Sequence, residues 1–277
     1  MRKIDLHVHT TASDGTSTPA QAVALAKELG LTAIAITDHD TAAGYAEAAR
    51  AGEALGVEVV PGIEISTKFG RAVHILGYYI DPKSDSLAEV SAWLVQDRDE
   101  RNRKIAEAMA ADGLPVSYEE MKRRFGSVIG RPHFAELLME LGYARNMQDA
   151  FDRYIEKGQK YYFHRTILPI DRALEIILNA GGIPVLAHPF QYKLDDSGLR
   201  ELIEYCLARG LEGMECRYSG YSREQSGYLE ALAEEYGLIK TGGSDFHGQA
   251  KPHIHLGSGT GELHVPYEFL EQLKAAR

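Results

Sequence analysis

The segment Asp5-Leu6-His7-Val8-His9 places two imidazoles at i and i+2, on one face of a strand and at its C-terminal end. Two ring nitrogens on one face can reach one cation. The same kind of residue recurs wherever an apolar run stops. The run 33–37 ends in Asp38-His39, the run 57–63 in Glu64 and the run 183–187 in His188, and the last run leads into Gly243-Ser244-Asp245-Phe246-His247. A single buried histidine is more often a hydrogen-bonded core residue than a ligand. Donors repeated at the ends of several strands are different, because parallel α/β barrels gather their functional residues at the C-terminal strand ends. His74, within Val73-His74-Ile75-Leu76, joins this set if its strand faces the same cavity. Asp14, within Ser13-Asp14-Gly15, reads equally as a turn residue or a ligand. Mixed imidazole and carboxylate donors suit manganese, iron or zinc. Asp38 reads either as a carboxylate that orients a ligand by a hydrogen bond or as a loop cap.

The elements that must position these residues alternate short β-branched runs with amphipathic stretches, as expected of an α/β fold with a mainly parallel sheet. Seven strands are predicted, at 3–8, 33–37, 57–65, 72–80, 183–187, 211–216 and 238–242. Helices are expected at 20–29, 45–55, 170–179, 199–209 and 223–236. Thr18-Pro19 serves as N-cap and first helical position for the first of these, with Gly30 as its stop. Between the third and fourth strands, Thr67 to Arg71 leaves room only for a turn, so these form a hairpin. About a hundred residues then intervene, too many for one crossover. Residues 84–165 are therefore expected to be a helical insertion domain beginning with a long helix at 87–109, and 1–83 with 166–277 the barrel.

The 277 residues are 44% hydrophobic, enough for one large domain or a domain with an insert, and no apolar run is long enough to span a bilayer. The first residues show no continuous apolar segment, so a cytoplasmic location is expected. Cys206 and Cys216 can build neither a disulfide framework nor a cysteine-based zinc site. The formal charge is −10, which repels long nucleic acids, whereas the stretch 97–165 is near neutral.

The ordered motifs resemble those of the polymerase and histidinol phosphatase (PHP) superfamily. Asp5-Leu6-His7-Val8-His9 is similar to its first motif, Thr37-Asp38-His39 to its second, Glu64 and His188 to its middle ligands, and Ser244-Asp245-Phe246-His247 to its last. The resemblance implies a distorted seven-stranded (β/α)7 barrel holding two to three divalent metal ions, manganese first, with Fe2+ or Zn2+ as alternatives. It implies one metal on His7, His9, Glu64 and Asp245 and a second on Glu64, His74 and His188. The third would rest on Asp14, His39 and His247. A hydroxide held by metals that Glu64 bridges would attack phosphorus in line, with Asp14, His39 and His247 near the phosphoryl group. Many relatives carry histidine where this chain has Asp14. That departure resembles a branch of nucleoside 3′,5′-bisphosphate phosphatases and short-RNA 5′→3′ exonucleases.

Specificity is expected in the insertion, because barrel enzymes vary their loops over a constant site. Arg98, Arg101 and Asn102 share one face of the long helix, as a phosphate-binding edge or a solvated charge stripe. Arg131, His133 and Phe134 offer a guanidinium, an imidazole and a ring to stack on a base. The expected substrate is a small nucleotide bisphosphate, with short RNA ends as a second class, and neither a membrane nor an obligate protein partner is indicated. A histidinol-phosphate or cyclic-phosphate hydrolase would use the same metals. A non-catalytic metal-binding accessory module would be expected to have lost some of the nine ligand candidates.

Overall fold

The computed structural model describes residues 2–125, 129–164 and 167–277. The chain divides into two compact units, Met1–Ser91 with Ile167–Arg277, and Ala92–Thr166.

The first unit alternates strands and helices: β1 (Lys3–Val8), α1 (Pro19–Glu28), β2 (Leu31–Ile36), α2 (Tyr45–Leu55), β3 (Glu58–Phe69) and β4 (Arg71–Tyr78). The helix α3 (Asp85–Ala111) leads into α4 (Tyr118–Phe125), α5 (Arg131–Glu140) and α6 (Met147–Ala150), which runs on into a π-helical turn, Phe151–Ile155. Then come β5 (Leu168–Pro169), α7 (Ile170–Asn179), β6 (Ile183–Leu186), α8 (Asp196–Leu207), β7 (Gly213–Tyr218), α9 (Arg223–Glu235), β8 (Ile239–Gly243), β9 (Val265–Pro266) and α10 (Tyr267–Ala275). The start of α1 follows from its sequence. Thr18 accepts from the Gln21 N–H, the Gln21 side chain returns to the Thr18 N–H, and Pro19 occupies the first turn, where no N–H is needed.

The sheet runs β8-β7-β6-β4-β3-β2-β1-β9, with β5 on β3. Beyond the ends of the named strands, the Asp245 N–H donates to the His7 carbonyl and the His9 N–H to that of Phe246, both at 2.9 Å, drawing β8 to β1 into a nearly closed barrel. Gly243 permits this approach, because a Cβ there would lie 2.3 Å from the Cβ of His7. The seven expected strands are all present. Two two-residue strands, β5 and β9, are added, too short to carry a period. Among the described residues five pairs are parallel (β1/β2, β2/β3, β3/β5, β6/β7, β7/β8), but β4 is antiparallel to both β3 and β6. Alternation along β2 shows the two layers. Ala33 and Ala35 pack with Ile4, Leu6, Val185 and the α10 residues Leu270 and Leu273, whereas Ile34 and Ile36 pack against Ala22 and Val23 of α1.

The second unit is helical, around Ile105, Met109, Met121, Phe134 and Leu138. Its division from the first falls within α3 at 91/92 rather than at Ser84, since one continuous helix carries the chain across. The expected later boundary, at Arg165, lies outside the described residues.

Candidate metal centre

Nine donors converge on one end of the barrel. His7 and His9 come from the end of β1, His39 from the loop after β2, His188 from the end of β6, and Asp245 and His247 from the loop after β8. Glu64 lies in β3 and is bridged to His39. His74 belongs to the first half of β4, and because that strand runs antiparallel to both β3 and β6, its start lies at the same end as their C-termini.

The centre of the arrangement is the buried Glu64. Its Oε1 lies 2.9 Å from both His74 Nδ1 and His188 Nε2. Its Oε2 faces His39 Nδ1 at 3.0 Å, His9 Nε2 at 3.3 Å and His7 Nε2 at 3.5 Å. One carboxylate is thus shared by five imidazoles. Asp245 Oδ1 lies 3.1 Å from His9 Nε2 and 3.6 Å from His7 Nε2. Asp14 faces His247 Nε2 at 3.3 Å, with His9 and His39 at 3.8 and 4.0 Å, so it belongs to the cluster as well as to a turn. Three sets have donor atoms close enough to share an ion: His7, His9 and Asp245; His39, Glu64 and His74; and His9, Asp14, His39 and His247. His9 and His39 each occur in two sets, because their two ring nitrogens face different carboxylates.

The donors fit cations. His7 Nε2, both nitrogens of His9, His39 Nδ1 and Glu64 Oε2 are buried and find no hydrogen bond among the described residues. Each such atom costs about 1–3 kcal/mol when left unsatisfied, so five in one place describe a site shaped for a ligand. Ring nitrogens and carboxylates are the donor chemistry of divalent transition metals. Electrostatics agree. Burial disfavours ionised carboxylates, yet the surrounding imidazoles outweigh it and hold Glu64 and Asp14 well below the usual range. Asp245 is likewise well below it, with Lys251 ahead of His247 and His9 in overcoming its burial. Burial opposes the charge on His7, but Glu215 and then Glu64 outweigh it and raise that ring well above its ordinary value.

Supporting residues set the donors. Glu215, fully buried in β7, accepts from His7 Nδ1–H at 3.0 Å and from the His188 N–H at 2.8 Å, leaving His7 Nε2 for the cluster. His247 Nδ1–H donates to the Asp245 carbonyl at 2.8 Å, which leaves Nε2 toward Asp14. Asp5 ties β1 to the β8 loop by accepting from the Ser244 N–H and hydroxyl and from the Gly257 N–H. His188 and Asp245 have φ of 26° and 58°, a region that side chains adopt at a cost of about 1–3 kcal/mol and that clusters at functional sites. Asp38 accepts from the Thr10 N–H, the Thr10 hydroxyl and the Ser13 hydroxyl, so it caps the loop after β1 rather than holding an imidazole.

Sequence reasoning missed Glu215, Tyr218, Lys251 and Tyr192. A lone acid between Met214 and Cys216 was a readable signal for the first. Tyr192 links the backbone of His74 to that of the residue before His188, donating to the Ala187 carbonyl and accepting from the His74 N–H.

The substrate candidates of the second unit behave differently from expectation. Phe134 is fully buried in that unit's core and offers no face to a base. His133 Nδ1 accepts from the Gly130 N–H at 2.9 Å and its ring packs on Phe125, so it caps the start of its own helix. Arg98, Arg101 and Asn102 are buried rather than a solvated stripe, and Asn102 donates to the Ile129 carbonyl at 2.6 Å. Arg131 keeps about a third of its side chain exposed, between the Phe151 and Tyr162 rings, and donates to the Ile155 carbonyl.

The family model for the PHP domain matches residues 5–206, and the chain belongs to this family. It is 38% identical over 259 residues to the 5′-3′ exoribonuclease Rnm of Escherichia coli, covering 91% of this chain and 87% of that one. It is 33% identical over 250 residues to the 3′,5′-nucleoside bisphosphate phosphatase of Chromobacterium violaceum, covering 89% and 88%. A solved structure assigned as a metal-dependent phosphoesterase, from Bifidobacterium adolescentis, matches with a TM-score of 0.87 at 31% identity, over 99% of this chain and 96% of that one. Family, fold and donor set together define a metal-dependent phosphoesterase. Among the described residues no helix is long and apolar enough to cross a membrane.

Proposed function

We propose that the protein hydrolyses nucleoside 3′,5′-bisphosphates, such as adenosine 3′,5′-bisphosphate, to the 5′-monophosphate and phosphate. The observation that carries the phosphoesterase chemistry is the single Glu64 carboxylate shared by five imidazoles, with unpaired donor atoms around it. Similarity to the C. violaceum phosphatase and an Asp14 seated among His9, His39 and His247 support the substrate. The formal charge of −10 favours a small doubly phosphorylated substrate over a long polyanion.

His7, His9, Asp14, His39, Glu64, His74, His188, Asp245 and His247 would hold two to three divalent ions, with manganese our first assignment. Bound, these would supply Lewis acidity toward the phosphoryl oxygens and water acidic enough to attack near neutral pH. The chain's own residues do the positioning. Glu64 places two sets of imidazoles on its two oxygens, and Glu215 presents His7 through Nε2. Asp14, His39 and His247 flank the place where the phosphoryl group must sit. In the reaction a water oxygen adds to phosphorus, the bond from phosphorus to the 3′-oxygen breaks, and the ribose leaves as its alcohol. Arg131 is our candidate for the second phosphate. We infer a cytoplasmic enzyme that needs no protein partner.

Similarity to the E. coli protein favours a second reading, 5′→3′ removal of nucleotides from short RNA. Phosphate or nucleotide release by the manganese-loaded protein from a panel decides between them. The panel holds nucleoside 3′,5′-bisphosphates, nucleoside monophosphates, 5′-phosphorylated oligoribonucleotides, histidinol phosphate and a cyclic phosphate. A kcat/KM for the bisphosphates below that for the oligoribonucleotides would refute the first reading.

A further inference from the structure

The two oxygens of Asp245 have different surroundings. Oδ1 faces the imidazoles of His9, His247 and His7 at 3.1, 3.5 and 3.6 Å. Oδ2 is held from the other side by two donors, the Tyr218 hydroxyl and the Lys251 ammonium, each at 2.7 Å. Tyr218 closes β7 and is buried, with its ring 5.4 Å from that of His188 and 6.4 Å from that of His7. Lys251 follows the short helical turn Gly248–Ala250 and keeps 36% of its side chain exposed. The backbone of Asp245 is already in the left-handed region, which fixes the direction of its Cβ.

From this geometry we propose that Tyr218 and Lys251 are positioning residues that clamp Asp245 as a one-oxygen ligand. The inference rests on the metal-centre reading above. Of the two side-chain rotations left to Asp245, turning about the Cβ–Cγ bond would exchange Oδ1 for Oδ2 or present both. Two donors on Oδ2 remove that freedom. Partners of this kind behind a ligand set metal affinity, and their loss typically costs about 10–100-fold. Tyr218 is buried and supplies a fixed hydroxyl, and Lys251 adds a charge-assisted bond that holds Oδ2 in place.

The test is metal retention, which needs no substrate. Tyr218→Phe, Lys251→Met and Lys251→Arg are each loaded with Mn2+, dialysed against graded chelator and assayed for bound metal by mass spectrometry. Circular dichroism of the metal-free forms checks folding. The chelator concentration that strips half the metal should fall about tenfold or more in Tyr218→Phe and Lys251→Met. Lys251→Arg, which keeps the cation, should recover most of that loss. Retention equal to the parent's in Lys251→Met or in Tyr218→Phe, which removes one oxygen atom and keeps the ring, would overturn the clamp. So would a Lys251→Arg form as weak as Lys251→Met. A parent that holds no divalent ion at all would overturn the metal centre and the clamp with it.

Discussion

Glu215→Gln is the sharpest test of how the centre is supported, because it changes one atom in a side chain that is not itself an expected ligand. Glu215 accepts two hydrogen bonds, from His7 Nδ1–H at 3.0 Å on one oxygen and from the His188 N–H at 2.8 Å on the other. An amide has one acceptor end and one donor end. Whichever way it turns, one of the two N–H groups must face an NH2. Leaving a fully buried donor without an acceptor costs about 1–3 kcal/mol, so the metal-free variant should unfold roughly 2–10 °C below the parent. The second effect is on the donors. His7 loses the carboxylate that orients its ring and enriches Nε2, and a perturbation of that kind weakens metal retention about 10–100-fold. Thermal unfolding of the metal-free protein reads the first number, and chelator competition followed by metal analysis reads the second. A variant within about 0.5 kcal/mol of the parent, with unchanged retention, would show that Glu215 does not support the centre and that the reasoning from its two contacts is wrong.

Four other outcomes are expected. Gly243→Ala inserts a Cβ 2.3 Å from the Cβ of His7, so it should destabilise the fold by about 1–3 kcal/mol or more in urea unfolding and reduce bound metal, because β1 must retreat. Phe134→Ala should cost about 3–5 kcal/mol of stability while KM in the folded fraction stays unchanged; a large KM change with little loss of stability would restore a base-stacking role. Arg131→Ala should weaken bisphosphates more than monophosphates, and equal losses on both would refute its assignment to a second phosphate. The fourth concerns pH. Glu64, Asp14 and Asp245 titrate below their unfolded values, so their contribution is present above about pH 4 and is lost on acidification through their lower folded values. His7 and His9 titrate above theirs, so their contribution is complete below about pH 6.5 and lost as pH rises through the higher folded values. Metal-free protein should therefore be most stable between about pH 4.5 and 6.5. Added Mn2+ should move that optimum upward, since it competes with protons for the same nitrogens. An optimum unmoved by metal in unfolding curves taken across pH would contradict the cluster's role.

The barrel was legible because its strands are interruptions in an otherwise polar, helical pattern, and each interruption ends on a residue that an apolar core would not choose. Val8-His9, Thr37-Asp38-His39 and Ala187-His188 are readable without coordinates. The direction of β4 could be inferred from the short connection around Thr67 to Arg71, and that direction is what brings His74 to the donors at the other strands' C-terminal ends. β3 was read as stopping at Ile65 but continues to Phe69, because Ser66, Thr67 and Lys68 pair with His74, Val73 and Ala72. Propensity carries little weight where a partner strand supplies the hydrogen bonds. Two-residue strands such as Leu168–Pro169 have no period at all.

The residues that hold the ligands were less legible for a physical reason. A ligand announces itself by being a polar residue at a strand end, whereas its support need only be a polar residue somewhere the folded chain makes adjacent. Glu215 lies 208 residues from His7, and Tyr218 lies 27 from Asp245. No spacing rule links them. The insertion failed in the opposite direction. Phe134 and Leu138 stand at i and i+4 on a helix started by Pro132, a pattern that reads as a core face before it reads as a binding edge, and both are buried. There the chemistry-bearing residue types lie on the period of a core face. In the barrel, type and period agreed at the strand ends and the family resemblance added Asp14, and five of these residues, all imidazoles, meet around Glu64 with Asp14, Asp245 and His247 beside them, while the substrate residues need a separate test.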